Sequence, residues 1–262
     1  MRISSIFVPF FALIAGMCGF ILRWMELLHA FDWRTGLPER GAPQTIGLIA
    51  LSCVVMLVAF LFSLRIASKH KSPNGFENAF GSDSLSYPMI FTLIGLVWLG
   101  ATVKRFFELR AVGAIPQIEL IFLVGSVLAA ISVTLFAIEM YQDPRRKLIF
   151  ALSIVPTLFM CFWLIYLYKQ NASNPILLRY CYQCLAIIAS ALGFYFTSGF
   201  VYFKPSPGKS VFTYLVAIYF CFVSLADGLE ISIRLIFAAL ITINVLYLSM
   251  LLRNLRWNKA AA

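Results

Sequence analysis

Charge is scarce in this sequence. Lys, Arg, Asp and Glu together make up 12% of 262 residues, about half of the roughly 25% usual in soluble globular domains. Hydrophobic residues reach 61% and the mean hydropathy is +0.89, more apolar surface than a core of ordinary thickness can hide. A water-soluble globular domain and a disordered chain are both excluded. Histidine is almost missing. His29 and His70 are the only two, in loops predicted on opposite sides of the membrane, so the imidazole clusters of common metal centres cannot form. Cys18, Cys53, Cys161, Cys181, Cys184 and Cys221 all fall within apolar runs, which excludes a disulfide-stapled mini-protein and makes the thiols small apolar fillers. The pair Cys181-x-x-Cys184 has redox spacing but sits in a predicted helix without a helping histidine.

Motifs for catalysis are missing too. There is no nucleophile elbow, H-E-x-x-H or dinucleotide fingerprint. Gly208-Lys209-Ser210 has the ending of a phosphate-binding loop, but Phe203 stands where its first glycine belongs and no strand precedes it. Asn171-Ala172-Ser173 fits a glycosylation acceptor in a loop too short to suit the transferase. No catalytic residue, metal or cofactor is expected.

What the sequence has is long charge-free runs. About 20 mostly apolar residues carry a helix across a hydrocarbon core of roughly 30 Å, and a charge at mid-membrane costs on the order of 2.5–3.5 kcal/mol. Eight spans are built on such runs, with charges only near their ends: 3–22, 44–66, 85–104, 117–140, 148–168, 176–200, 210–227 and 231–252. The last pair is separated only by the turn Asp227-Gly228-Leu229-Glu230, so seven spans with a half-buried segment is the alternative count. The first run has no A-x-A site after it, and Met17 occupies the small-residue position of a lipoprotein box, so it reads as a retained span rather than a signal peptide. The expected fold is an all-α polytopic membrane protein of about eight transmembrane helices arranged as four antiparallel hairpins. One transmembrane domain covers 1–262, with no soluble domain, since the longest loops are about 20 residues (Arg23 to Ala42, Ile66 to Asp83).

The net charge of +10 reads as topology rather than as a nucleic-acid footprint. With the N-terminus cytoplasmic, the inner segments hold Arg2, Arg65, Lys69, Lys71, Arg145, Arg146, Lys147, Lys204, Lys209, Arg253, Arg256 and Lys259, which is 12 of the 21 basic residues, against Glu77, Asp83, Glu139 and Asp143. The positive-inside rule then places both termini in the cytoplasm of a plasma or inner membrane.

The first two hairpins read as a parallel internal repeat. Arg23-Trp24-Met25-Glu26-Leu27 closes the first span and Arg105-Phe106-Phe107-Glu108-Leu109 the third. Gly41-Ala42-Pro43-Gln44 and Gly113-Ala114-Ile115-Pro116-Gln117 open the helices that follow, with proline where its missing N–H costs nothing. Trp163 to Tyr166, followed by Asn174-Pro175, is a weaker echo. Small residues (Gly125, Ser126, Ala129 and Ala130; Ala186, Ala189, Ser190 and Gly193) mark faces for close helix packing, within the chain rather than between copies. Gly193 and Thr197-Ser198-Gly199 predict a kink or an early end in the sixth span.

Polar residues gather at the outer ends of the helices. Arg23 and Glu26, and Arg105 and Glu108, are spaced i, i+3 and so are each predicted to pair along one helix face. Glu119, Arg179, Asp227, Glu230 and Arg234 fall at the same level. These nine charges either ring an outward-facing vestibule or snorkel to the interface and pair with each other. Three classes of function fit. A non-enzymatic membrane subunit, scaffold or sensor is favoured. A transporter or binding protein for a small solute or lipid, entered through the charged vestibule, is the alternative. An enzyme at the outer leaflet ranks third, since no histidine or serine stands out there. Expected partners are the lipid bilayer and either a partner membrane protein or a second copy of the chain, and not nucleic acid.

Overall fold

The computed structural model describes residues 2–32, 37–71, 75–81, 85–113, 115–141, 146–172 and 176–257. Asp83, Ala114, Asp143, Arg145, Ser173, Asn174, Pro175 and Lys259, which enter the readings above, lie outside the described residues.

Nine α-helices form among the described residues: α1 Arg2–His29, α2 Pro43–Lys69, α3 Phe76–Phe80, α4 Ser86–Val112, α5 Gln117–Tyr141, α6 Arg146–Gln170, α7 Cys181–Val201, α8 Pro207–Leu225 and α9 Ile231–Asn254. All but α3 are long and apolar enough to cross a membrane. The chain is a polytopic helical membrane protein with eight spans, and the seven-span alternative falls away. Consecutive long helices pack as the four expected hairpins. Pro43 and Pro207 open α2 and α8 at a position that needs no N–H donor.

The helices run further than the charge-free stretches. α1 continues through Arg23 and Glu26 to His29, and α4 through Arg105 and Glu108 to Val112. Charge ends a span only when it faces lipid, and these charges face other helices instead. The sixth span also departs from expectation. Its start is a short 3-10 turn, Leu177–Arg179, and α7 then stays helical through Gly193 and Gly199 to Val201. Thr197 and Ser198 bond back to the carbonyls of Gly193 and Phe194, so they follow the helix rather than break it.

α4, α5, α6, α7, α8 and α9 close a ring in which each packs on the next and α9 returns to α4. The α1–α2 hairpin packs on the outside of α8. Accordingly 78% of the α8 span and 72% of the α9 span are buried, against 22% of α2. The ring is filled by aromatic side chains. The Tyr247 ring on α9 meets Phe91, Phe136, Phe194 and Tyr214 from four other helices, and Phe80 from α3. The predicted small-residue faces lie inside the bundle, with Ser126, Ala129, Ala130, Ala186 and Ser190 buried.

Pro156 lies inside α6, where its ring disturbs the local ladder of backbone bonds. Ser198 of α7 donates to the nearby Ser153 carbonyl at 2.7 Å, the kind of substitute partner a proline in lipid requires. At the end of the bundle that holds both termini, α3 tucks Phe76 and Phe80 under the ring, and Asn254 donates to the Ala79 and Gly81 carbonyls. His70–Lys71 pairs antiparallel with Arg256–Trp257, tying the end of α2 to the segment after α9.

Candidate functional site

At the opposite end, the five-residue turn 226–230 joins α8 to α9, and its two carboxylates point to different helices. Asp227 meets α1. The buried Arg23 guanidinium donates from Nε to Asp227 Oδ1 at 2.8 Å and from Nη1 to Glu26 Oε2 at 2.7 Å. Its Nη2 donates to the carbonyls of Leu178 and Arg179 at 3.1 and 3.2 Å, which the short 3-10 turn leaves outside a regular helical ladder. Tyr182 lies under the guanidinium at 4.9 Å, a cation–π contact. Gln183 donates to the other Asp227 oxygen at 2.8 Å. Burial pushes the Asp227 carboxyl above the usual carboxylate range, while Arg23 and the Gln183 amide pull the other way.

Glu230 meets α4, as an ion pair with Arg105 Nη1. Arg105 Nη2 donates to Glu119 Oε1 on α5 and to the Tyr166 hydroxyl on α6, both at 3.1 Å. Tyr166 donates to the same Glu119 oxygen at 2.7 Å, and Gln170 does so at 3.1 Å. Phe122 stacks on the Tyr166 ring at 4.5 Å and fixes where that hydroxyl points.

The nine predicted residues therefore do not form one ring. Six of them make two clusters, Arg23–Glu26–Asp227 and Arg105–Glu119–Glu230, linked by the turn that carries Asp227 and Glu230. Arg23 and Glu26 are fully buried, and Asp227, Arg105 and Glu119 are nearly so; these charges pair with each other, as the second reading expects, but inside the bundle rather than by snorkelling to the interface. A charge withdrawn from water needs close partners of opposite sign and bonds for its remaining polar atoms. The predicted pair Arg23–Glu26 forms, whereas Arg105 turns to Glu119. Glu108 is engaged elsewhere, by Lys104 at 3.0 Å and by the Ser232 hydroxyl of α9 at 2.9 Å. Arg179 keeps its side chain exposed, over the Phe31 ring at 5.8 Å, and Arg234 is exposed on α9.

Each cluster sets two carboxylates against one guanidinium, and each leaves a carboxylate oxygen, Glu26 Oε1 and Glu119 Oε2, buried without a bonding partner among the described residues. Sequence reasoning missed Tyr166, Tyr182, Gln170, Gln183 and Ser232, which carry no charge. The available signal was an amide inside an apolar run, as at Gln183, since such a group must find a partner in lipid. Further polar links lie deeper. Trp98 donates to Ser126, which also bonds Thr102, and Ser52 bonds Tyr219. No family model, curated protein or solved structure matches this chain.

Proposed function

We propose that this chain is a non-enzymatic membrane subunit or scaffold that works through contact with a partner membrane protein, with both termini in the cytoplasm of a plasma or inner membrane. One observation carries the reading. Five of the nine candidate charges, Arg23, Glu26, Arg105, Glu119 and Asp227, are buried and bonded to structural partners, with Arg23 engaging Glu26, Asp227 and two backbone carbonyls. Such groups lock helices together and leave little reactive surface. The outer face of α2, by contrast, presents Ile46, Val54, Leu57 and Leu61 to lipid or to a neighbouring protein. The test is purification from native membranes in mild detergent followed by native mass analysis. A second polypeptide at fixed stoichiometry is the expected result. A lone chain carrying a small solute would overturn the scaffold reading in favour of ligand binding or transport.

A further inference from the structure

Two open apolar grooves run along the outer faces of α4, α5 and α6. One, of about 410 Å³, lies between α4 and α5 and is lined by Val103, Phe106 and Phe107 on one wall. The other, of about 540 Å³, lies between α5 and α6 and is lined by Leu158, Phe159 and Phe162 on its far wall. Leu120, Val124 and Leu128 belong to both, so α5 is a ridge with a groove on each flank. Both volumes fall in the roughly 300–1,000 Å³ range of ligand pockets.

Length and charge narrow the occupant. Leu128 lies 11 residues into α5, about 17 Å along its axis at roughly 1.5 Å per residue, or about half of a 30 Å core. The grooves therefore reach from the helix ends to mid-membrane, the depth of a single leaflet. Above them stand basic side chains. Arg110 follows Phe106 by four residues on α4, and Lys169 follows Phe162 by seven on α6, which puts each on its groove face nearer the membrane surface. Both are exposed, and neither is ion-paired among the described residues. The acids near them are occupied, Glu108 by Lys104 and Ser232, and Glu119 by Arg105, Tyr166 and Gln170.

We propose that the grooves flanking α5 seat the two acyl chains of an anionic phospholipid, whose phosphate lies between Arg110 and Lys169. The site is independent of any protein partner and stands whether or not the scaffold reading holds.

The test titrates the full chain in mild detergent with dioleoyl phosphatidylglycerol or dioleoyl phosphatidylcholine and reads bound lipid by native mass analysis. The expected preference for the anionic lipid is up to roughly thirtyfold, from two basic side chains at about 1 kcal/mol each. Arg110→Ala with Lys169→Ala brings phosphatidylglycerol down to the phosphatidylcholine level without moving the melting temperature. The charge-keeping pair Arg110→Lys with Lys169→Arg retains the preference. Val124→Trp fills the ridge flanks and lowers retention of both lipids. Equal retention of the two lipids by the unmodified chain overturns the proposal. So does a double-alanine variant that still prefers phosphatidylglycerol, or a Val124→Trp variant that holds lipid as before.

Discussion

Arg105 and Glu119 come from helices on either side of one short loop and are both nearly buried, so removing either strands the other in a low-dielectric site. Arg105→Ala is expected to destabilise the chain by about 3–5 kcal/mol, read as a loss of melting temperature in detergent. Glu119→Gln in the same chain should recover part of that loss, while Glu108→Ala should not, because Glu108 bonds Lys104 and Ser232 rather than Arg105. A double-mutant cycle showing stronger coupling of Arg105 to Glu108 than to Glu119 would refute the assignment. Asp227 adds a pH dependence. Because burial raises its pKa in the folded chain, the native state holds that proton more tightly than the unfolded state does. The resulting stability is complete below the ordinary aspartate range and is lost as pH rises through the raised value. Melting temperatures should fall across that window in the unmodified chain and level out in Asp227→Asn. At this scale the sequence discloses which residues carry charge, since an Arg or Glu stands out in an apolar run. It does not disclose which charge finds which, because the partners lie as far as 204 positions apart and half of them are uncharged.

Helix contacts turn on smaller features. α1 approaches α8 through Gly16 and Gly19, where a Cβ at Gly19 would sit 2.8 Å from both Tyr219 and Val223. Without hydrophobic drive between helices in lipid, such close packing is what holds them together. Gly19→Leu should therefore cost about 1–3 kcal/mol by overpacking and loosen α1, seen as faster proteolysis of the N-terminal segment. Tyr247 is the converse case, a large ring touched from five elements, and Tyr247→Ala is expected to cost about 3–5 kcal/mol by leaving a cavity. A loss below 1 kcal/mol in a melt would show that the ring collapses around the gap. The eight spans were legible because hydropathy is a one-dimensional property. α3 was not, since five residues make too short a pattern, and its entry depends on Gly75 at φ +85°. The central place of α8 and α9 was hidden as well, because hydropathy does not track burial in lipid: the outlying α2 is the most apolar span and the central α8 is among the least. The paired Arg-x-x-Glu endings were legible as a likeness between hairpins, but the two hairpins are placed differently. α1 and α2 both pack on α8, whereas α4 packs on α9 and α5 on α6.

For the molecule as a whole, an even number of spans puts both ends of the chain on one side, and the orientation is testable on exposed positions. With the six native cysteines replaced, Glu39→Cys and Gly228→Cys should react with an impermeant maleimide on intact cells, and Lys204→Cys only after lysis. The reverse pattern would invert the topology. The two most buried spans, α8 and α9, leave the ribosome after the other six. Until they arrive, Arg23 lacks Asp227, Arg105 lacks Glu230, and the inner faces of α1, α4 and α7 have nothing to close on. Six spans therefore enter the membrane before the elements that close them, with Arg23 paired to Glu26 and Arg105 to Glu119 ahead of the turn's two carboxylates. A chain halted after α7 is expected to be cleared by quality control rather than to accumulate, read as a shorter half-life than that of the full chain in a pulse-chase experiment.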